Sequence, residues 1–204
     1  MATAAGNCFE LVETTLKKAV AALDGDRVPF MLGGSLAVWA RGGPESCNDL
    51  DLMLRRDDAD DALAALERAG MRTERPPEGW LYKAWDGELL VDLIFGPQGV
   101  PIDDAAFARA ERVSVFGVEL DAMALEDVLV SKLLALHDHY LDYEGPLQMA
   151  RAVRERVDWG RVRADTAESP YARAFFTLLE GLEVVAPAGA EGHGERQARI
   201  RVVE

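Results

Sequence analysis

Cysteine is scarce in this chain: 204 residues hold only Cys8 and Cys47. They form neither a C-x-x-C pair nor a disulfide framework. Such sparse thiols suit a reducing compartment, and the segment from Met1 to Cys8 lacks the basic and then apolar regions of a signal peptide, so a cytoplasmic location is expected. No run of about 18 apolar residues occurs, which excludes a membrane-spanning helix. Basic residues are also few. Against 36 Asp and Glu stand 22 Lys and Arg, for a net charge of −14. Neutralising phosphates needs Lys and Arg in excess, so the chain as a whole is a poor general binder of nucleic acid. Solubility alone accounts for this acidity; a cationic acceptor, or a local basic patch hidden by the average, fits it too.

What is present is apolar substance: 49% of the residues are hydrophobic, enough for a sizeable core and against wholesale disorder. The length suits one compact domain or a small core with a helical annex. Leu11, Val12, Leu16, Ala19, Val20 and Leu23 recur at helical spacing over 9–24. Val28 to Leu32 is a short strand running into Gly33-Gly34-Ser35, and Leu36 to Arg41 is a brief helix stopped by Gly42-Gly43-Pro44. Leu50 to Leu54 is a strand; Asp57 or Asp58 caps a helix through Ala69. A short strand at 71–74 precedes a hairpin, 80–85 and 88–95, around Asp86-Gly87, and 112–120 forms one more hairpin. Helices are predicted over 124–138, 146–156, 158–167 and 170–182. The sum is an α+β arrangement: a core of 1–120 with a small mixed sheet flanked by helices, a helical annex of 121–183, and a Gly- and Ala-rich tail over 184–204.

The most informative segment is Gly33-Gly34-Ser35, thirteen further residues, then Asp49-Leu50-Asp51-Leu52. Side chains alternate along a strand, so Asp49 and Asp51 project from one side with α-carbons about 7 Å apart, while Leu50 and Leu52 point into the core. Two carboxylates held so close repel each other unless a cation lies between them. Hard oxygen ligands suit Mg²⁺, which takes a few carboxylates, waters and substrate phosphates. Asp92 lies in Leu89-Leu90-Val91-Asp92-Leu93-Ile94-Phe95, a strand that reads as buried on both faces. An unpaired carboxylate there would cost several kcal/mol, so it needs a metal or a basic partner. Gly33, Gly34 and Ser35 sit between a strand and a helix, where backbone N–H groups approach an anion and a hydroxyl can donate to phosphate.

This combination resembles the nucleotidyltransferase superfamily signature: an apolar residue, Gly, Gly or Ser, a spacer, then Asp, an apolar residue and a second acid, with a third acid on a later strand. The resemblance covers roughly 28–96. It implies that Asp49 and Asp51 bind two Mg²⁺ ions, that Asp92 bridges a metal and acts as base toward the acceptor hydroxyl, and that Gly33, Gly34 and Ser35 hold the triphosphate of an NTP.

Further along, Leu125, Val128, Leu129, Leu133 and Leu136 form an apolar helix face that also contains Lys132. Its amine either snorkels to water or meets phosphate at a cleft edge as a point charge. The segment 125–136, with Asp142 beyond it, is similar to the second motif of AbiEii-type nucleotidyltransferases, among them toxins of toxin–antitoxin pairs. That likeness implies that Lys132 and Asp142 complete the nucleotide site, that an RNA accepts the nucleotide, and that an antitoxin protein is a partner. A small hydroxylated molecule of the antibiotic type is the other acceptor, and a non-catalytic nucleotide-binding regulator the remaining alternative. Arg151, Arg154, Arg156, Arg161 and Arg163 form the one Arg-rich stretch, either a patch for RNA phosphates or cations paired with acids. Arg41 and Arg55 lie near the acidic motif, and Cys47 reads as inert packing. Trp39, Trp80, Trp85 and Trp159 read as core or cleft wall rather than as a stacking platform. His137 and His139, two apart on the predicted helix, face different ways and make a poor zinc pair.

Overall fold

The computed structural model describes residues 4–46 and 48–187. Cys47 and most of the expected tail, 188–204, lie outside the described residues. The chain runs α1 (Ala4–Gly25), β1 (Met31–Leu32), α2 (Gly34–Trp39), β2 (Asp49–Met53), α3 (Ala59–Arg68), β3 (Arg72–Glu74), β4 (Leu81–Asp86), β5 (Leu89–Ile94), α4 (Asp104–Ala108), β6 (Glu111–Val115), β7 (Val118–Ala122), α5 (Leu125–Leu134), α6 (Glu144–Val153), α7 (Trp159–Asp165) and α8 (Pro170–Gly181).

Local chemistry accounts for most of these boundaries. Asp103 caps α4 by accepting from the Ala106 N–H at 2.9 Å, and Asp158 caps α7 by accepting from Arg161 N–H at 3.0 Å. Ser169 accepts from Ala172 N–H at the start of α8, where Pro170 takes the first helical position. Asp60 and Asp61 lie in the first turn of α3, and Ala62, Leu63, Ala65 and Leu66 form its buried face. The hairpin β4–β5 pairs Asp86 with Leu89, so its two loop residues are Gly87 and Glu88, one position later than the predicted turn. The short helix α4 escaped the sequence reading because five residues are too few to show a period. Helix α5 ends at Leu134, before the predicted 138, and His137 instead forms a bridge with Tyr140 outside any helix.

Seven strands make one mixed sheet in the order β3-β4-β5-β2-β1-β7-β6. Strand β2 runs parallel to β5 and antiparallel to β1, and β1 runs parallel to β7. Helices α1 and α3 pack on one sheet face, over fully buried Leu50, Leu52, Ala84, Val91 and Leu93. Thr15 and Lys18 of α1 reach Asp86 on that face, at 3.2 and 2.6 Å. On the opposite face Asp49, Asp51, Leu90 and Asp92 are only half-buried. Strand β5 is therefore enclosed on one side alone, contrary to the expectation from its apolar run, because its second face borders a cleft.

Two buried ionic groups attach the later helices to the sheet. Arg41, at the end of α2, donates to the carbonyls of Met123 (2.8 Å) and Ala122 (3.0 Å), while Arg156 donates to the Arg41 carbonyl at 2.9 Å. Asp127 of α5 is 1% exposed and accepts from Arg109, just past α4, at 2.9 Å and from Arg161 of α7. Among the described residues no helix is long and apolar enough to cross a membrane. Removing a buried carboxylate strands its cationic partners. Asp127→Ala should therefore lower unfolding free energy by about 3 kcal/mol in urea titration, whereas Asp165→Ala, at the exposed end of the same cluster, should cost under about 1 kcal/mol.

Candidate active site

The site is built where α2 begins against β2. Gly33 N–H donates to the Asp51 carbonyl at 2.8 Å, which tethers the loop to the strand. Gly34 has φ +55, and a β-carbon there would overlap the Asp51 carboxylate. Both the left-handed backbone and the missing side chain are thus required. Ser35 follows in the first turn of α2, half-buried.

Parallel pairing of β2 with β5 sets Asp51 directly beside Asp92. Asp49, Asp51 and Asp92 each offer a carboxylate oxygen, and these oxygens lie within 4.8 Å of one another. Burial first, then the charge of Asp49 and that of Asp92, push the Asp51 carboxyl up to about 7, against an opposing pull from Lys132. Burial likewise raises Asp92, opposed by Lys83 and reinforced by Asp49. The Asp92 Oδ1 atom is buried with no hydrogen-bond donor among the described residues. Three acids this close, one with an orphaned oxygen, form a donor set that fits a hard divalent cation such as Mg²⁺.

Two lysines face the acids. Lys132 lines the same cleft as Gly34 and Asp51 and makes no hydrogen bond or ion pair with a described residue. Lys83 of β4 is the cross-strand partner of Asp92, with Nζ 3.9 Å from its Oδ1. Sequence reasoning missed Lys83. Counting back from a two-residue loop at Gly87-Glu88 would have placed it opposite Asp92.

The cleft occupies about 630 Å³ and runs from Gly34 and Asp51 past Met53 and Ile94 to the turn at 96–99, with Val128, Ser131 and Lys132 of α5 as its far wall. Asp142 is exposed and lies outside this lining; its carboxylate accepts from Glu144 N–H at 2.9 Å as α6 begins. Neither arginine near the motif joins it. Arg41 donates to the carbonyls of Ala122, the last residue of β7, and of Met123 just beyond it, and Arg55 pairs with Asp104 at 2.7 Å and stacks on Phe107.

No family model matches the chain, and no curated protein does. Solved structures match its architecture. The antibiotic-resistance factor ANT(2'')-Ia in solution aligns with a TM-score of 0.59 at 19% identity, over 84% of this chain and 96% of that one. The crystal structure of ANT(2'')-Ia in complex with adenylyl-2''-tobramycin aligns with a TM-score of 0.51 over the same shares. An antigenic nucleotidyltransferase-like protein from Paracoccidioides brasiliensis gives 0.50 at 15% identity, covering 85% and 88%. The fold is nucleotidyltransferase-like. Within it, Gly34, Asp51 and Lys132 line one cleft, and carboxylate oxygens of Asp49 and Asp92 lie within 4.8 Å of that of Asp51.

The raised Asp51 carboxyl carries a stability signature. Folded, it keeps its proton up to about pH 7; its ordinary value is 3.8. The native state thus binds the additional proton between these values, and the protein loses stability as pH rises through that window. In EDTA, the wild-type melting temperature should fall relative to Asp51→Asn between about pH 4 and 7, and added Mg²⁺ should restore it at pH 8. A wild type that tracks Asp51→Asn across the window would contradict this electrostatic account.

Proposed function

We propose that the chain transfers a nucleoside monophosphate from a magnesium-bound NTP to a hydroxyl of a small acceptor, releasing pyrophosphate. The observation that carries this reading is the convergence of Asp49, Asp51 and Asp92 within 4.8 Å beside the Gly33-Gly34-Ser35 loop and Lys132. Asp49, Asp51 and Asp92 are the residues that would hold two Mg²⁺ ions. Bound there, Mg²⁺ would neutralise charge on the attacking and leaving oxygens of an in-line displacement.

The chain's own groups do the remainder. The backbone N–H groups of Gly34 and Ser35 and the Ser35 hydroxyl donate to triphosphate oxygens, and Lys132 adds a point charge from the opposite wall. The acceptor oxygen bonds to the α-phosphorus as the bond toward the β-phosphate breaks, and the acceptor proton passes to Asp92. Lys83 faces Asp92 and favours its ionised, proton-accepting form. The helical annex 121–183 supplies the second wall of the cleft; Asp142 lies outside the cleft lining and has no role in this reading. Chemistry of this kind is mainly positioning and electrostatic stabilisation, so few side chains suffice.

Charge distribution supports a small acceptor. Arg154 pairs with Glu155, Arg156 with Glu111, Arg161 with Asp127 and Asp165, and Arg163 with Glu180. Four of the five arginines of that stretch thus have acidic partners within the chain, which offset the charge a phosphate track would use. ANT(2'')-Ia, alike in fold, was crystallised with an adenylylated antibiotic. A toxin-type enzyme with an RNA acceptor and an antitoxin partner is the second reading, carried by the likeness of 125–136 to the AbiEii motif.

Mass spectrometry of aminoglycosides, lincosamides and total tRNA incubated with each NTP and Mg²⁺ tests both. A small acceptor gaining one nucleoside monophosphate is the expected result; labelling of tRNA alone would favour the second reading. Asp49→Asn with Asp51→Asn should keep the fold and abolish Mg²⁺-dependent NTP binding by calorimetry. Asp92→Asn should weaken Mg²⁺-dependent binding less than the double substitution does and slow transfer by at least about 10²–10⁴-fold, the range for loss of a general base. Lys132→Ala should weaken NTP affinity about tenfold, near 1.4 kcal/mol. Unchanged binding in the double mutant, or no adduct on any acceptor, would reject the enzymatic reading.

A further inference from the structure

The cleft has one end rich in charge and one end poor in it. Asp51 and Lys132 mark the first. The second is lined by Trp80, Ile94, Pro97 and Gln98, whereas Met53 and Met123 lie beside the Gly33-Gly34 loop. Trp80 stands apart from the other tryptophans. Trp39 packs against Phe9 and Phe116 at 5.5 and 5.3 Å, Trp85 lies under the Arg72 guanidinium at 3.7 Å, and Trp159 meets Phe176 while its indole N–H donates to Arg154. Trp80 has no ring or cation partner among the described residues and is 42% exposed.

Its backbone, by contrast, is firmly held. The N–H groups of Phe95 and Gly96 both donate to the Trp80 carbonyl, at 3.0 and 3.1 Å. The turn that follows is pinned as well. Gly99 has φ +71, and a β-carbon there would overlap the Leu134 side chain of α5. Trp80 and Gln98 therefore sit on a fixed rim beside α5, with an indole face left open at the mouth of the triphosphate cleft. A flat, apolar ring of this kind is a stacking surface for a nucleobase.

We propose that Trp80 is the base-stacking residue of the nucleotide subsite, with Gln98 at the base edge, and that the site prefers purine over pyrimidine NTPs without choosing strongly between adenine and guanine. The inference rests on the donor-site reading above. Gln98 carries one amide, which presents a donor and an acceptor and flips to match either arrangement. It cannot select one base by itself. Among the described residues Asp51 and Lys132 are the only charged side chains that line the cleft, so discrimination beside Trp80 falls to stacking area, where two fused rings exceed one.

Calorimetric titration in Mg²⁺ with non-hydrolysable analogues of ATP, GTP, CTP and UTP, and with inorganic tripolyphosphate, tests this on wild type, Trp80→Ala, Trp80→Phe and Gln98→Ala. Both purine analogues should bind more tightly than the pyrimidine ones and than tripolyphosphate. Trp80→Ala should weaken the purine analogues about tenfold, as loss of one stacked base implies, with tripolyphosphate affinity and melting temperature unchanged. Trp80→Phe should recover most of the loss, and Gln98→Ala should shift all four analogues alike. Equal binding of the analogues by wild type and Trp80→Ala, or tighter binding of pyrimidines, would overturn the proposal while leaving the triphosphate site standing. Failure of wild type to bind either tripolyphosphate or any analogue would overturn the donor-site reading itself.

Discussion

Repulsion among three carboxylates is the constraint around which this molecule is arranged. Asp51 and Asp92 are neighbours across a parallel strand pair, and Asp49 lies two residues before Asp51 on the same face. Burial compounds the repulsion, which is why Asp51 holds its proton to about pH 7. The surroundings offset this only in part. Lys83 stops 3.9 Å from Asp92, and Lys132 acts on Asp51 through the cleft without bonding to it. A buried oxygen of Asp92 finds no donor. Such a site is destabilising to the fold that carries it, and it persists because the opposite sheet face is packed without interruption on α1 and α3.

That opposition explains the shape of the loop before α2. The Asp51 carboxylate occupies the space where a side chain at 34 would be, so glycine there follows from the acid's position. Helix α5 is engaged on several sides. Leu125, Leu129 and Leu133 are buried, Val128, Ser131 and Lys132 face the cleft, and Asp127 anchors Arg109 and Arg161 on a further side. One ten-residue helix thus serves core, cleft and anchor, and a helix enclosed on most sides loses the two-faced pattern of a surface helix.

The overall charge of −14 says little about the cleft. Most cations near the acids are tied up locally: Arg41 by carbonyls, Arg55 by Asp104, Arg161 by Asp127. Among the described residues Lys132 lines the cleft without an ion-pair partner, Lys83 stands 3.9 Å from Asp92, and both come from elements distant in sequence from Asp49 and Asp51.

Alternation in Asp49-Leu50-Asp51-Leu52, the apolar setting of Asp92, the glycines after β1 and most helices of the annex were legible in the residues, because periodicity and turn chemistry act over a few neighbours. So were the fold class and the three acids as candidates. What could not be read was anything that depends on which strands become neighbours. Sequence left Lys132 divided between snorkelling and the cleft, took β5 as enclosed on both faces, and left Arg41 and Arg55 open. It gave no sign of Lys83, of the buried Asp127 cluster or of an unpartnered Trp80. Each was decided by tertiary structure, since strand order, parallel register and the seating of α5 bring together residues tens of positions apart, and a contact at that separation leaves no local period in the chain.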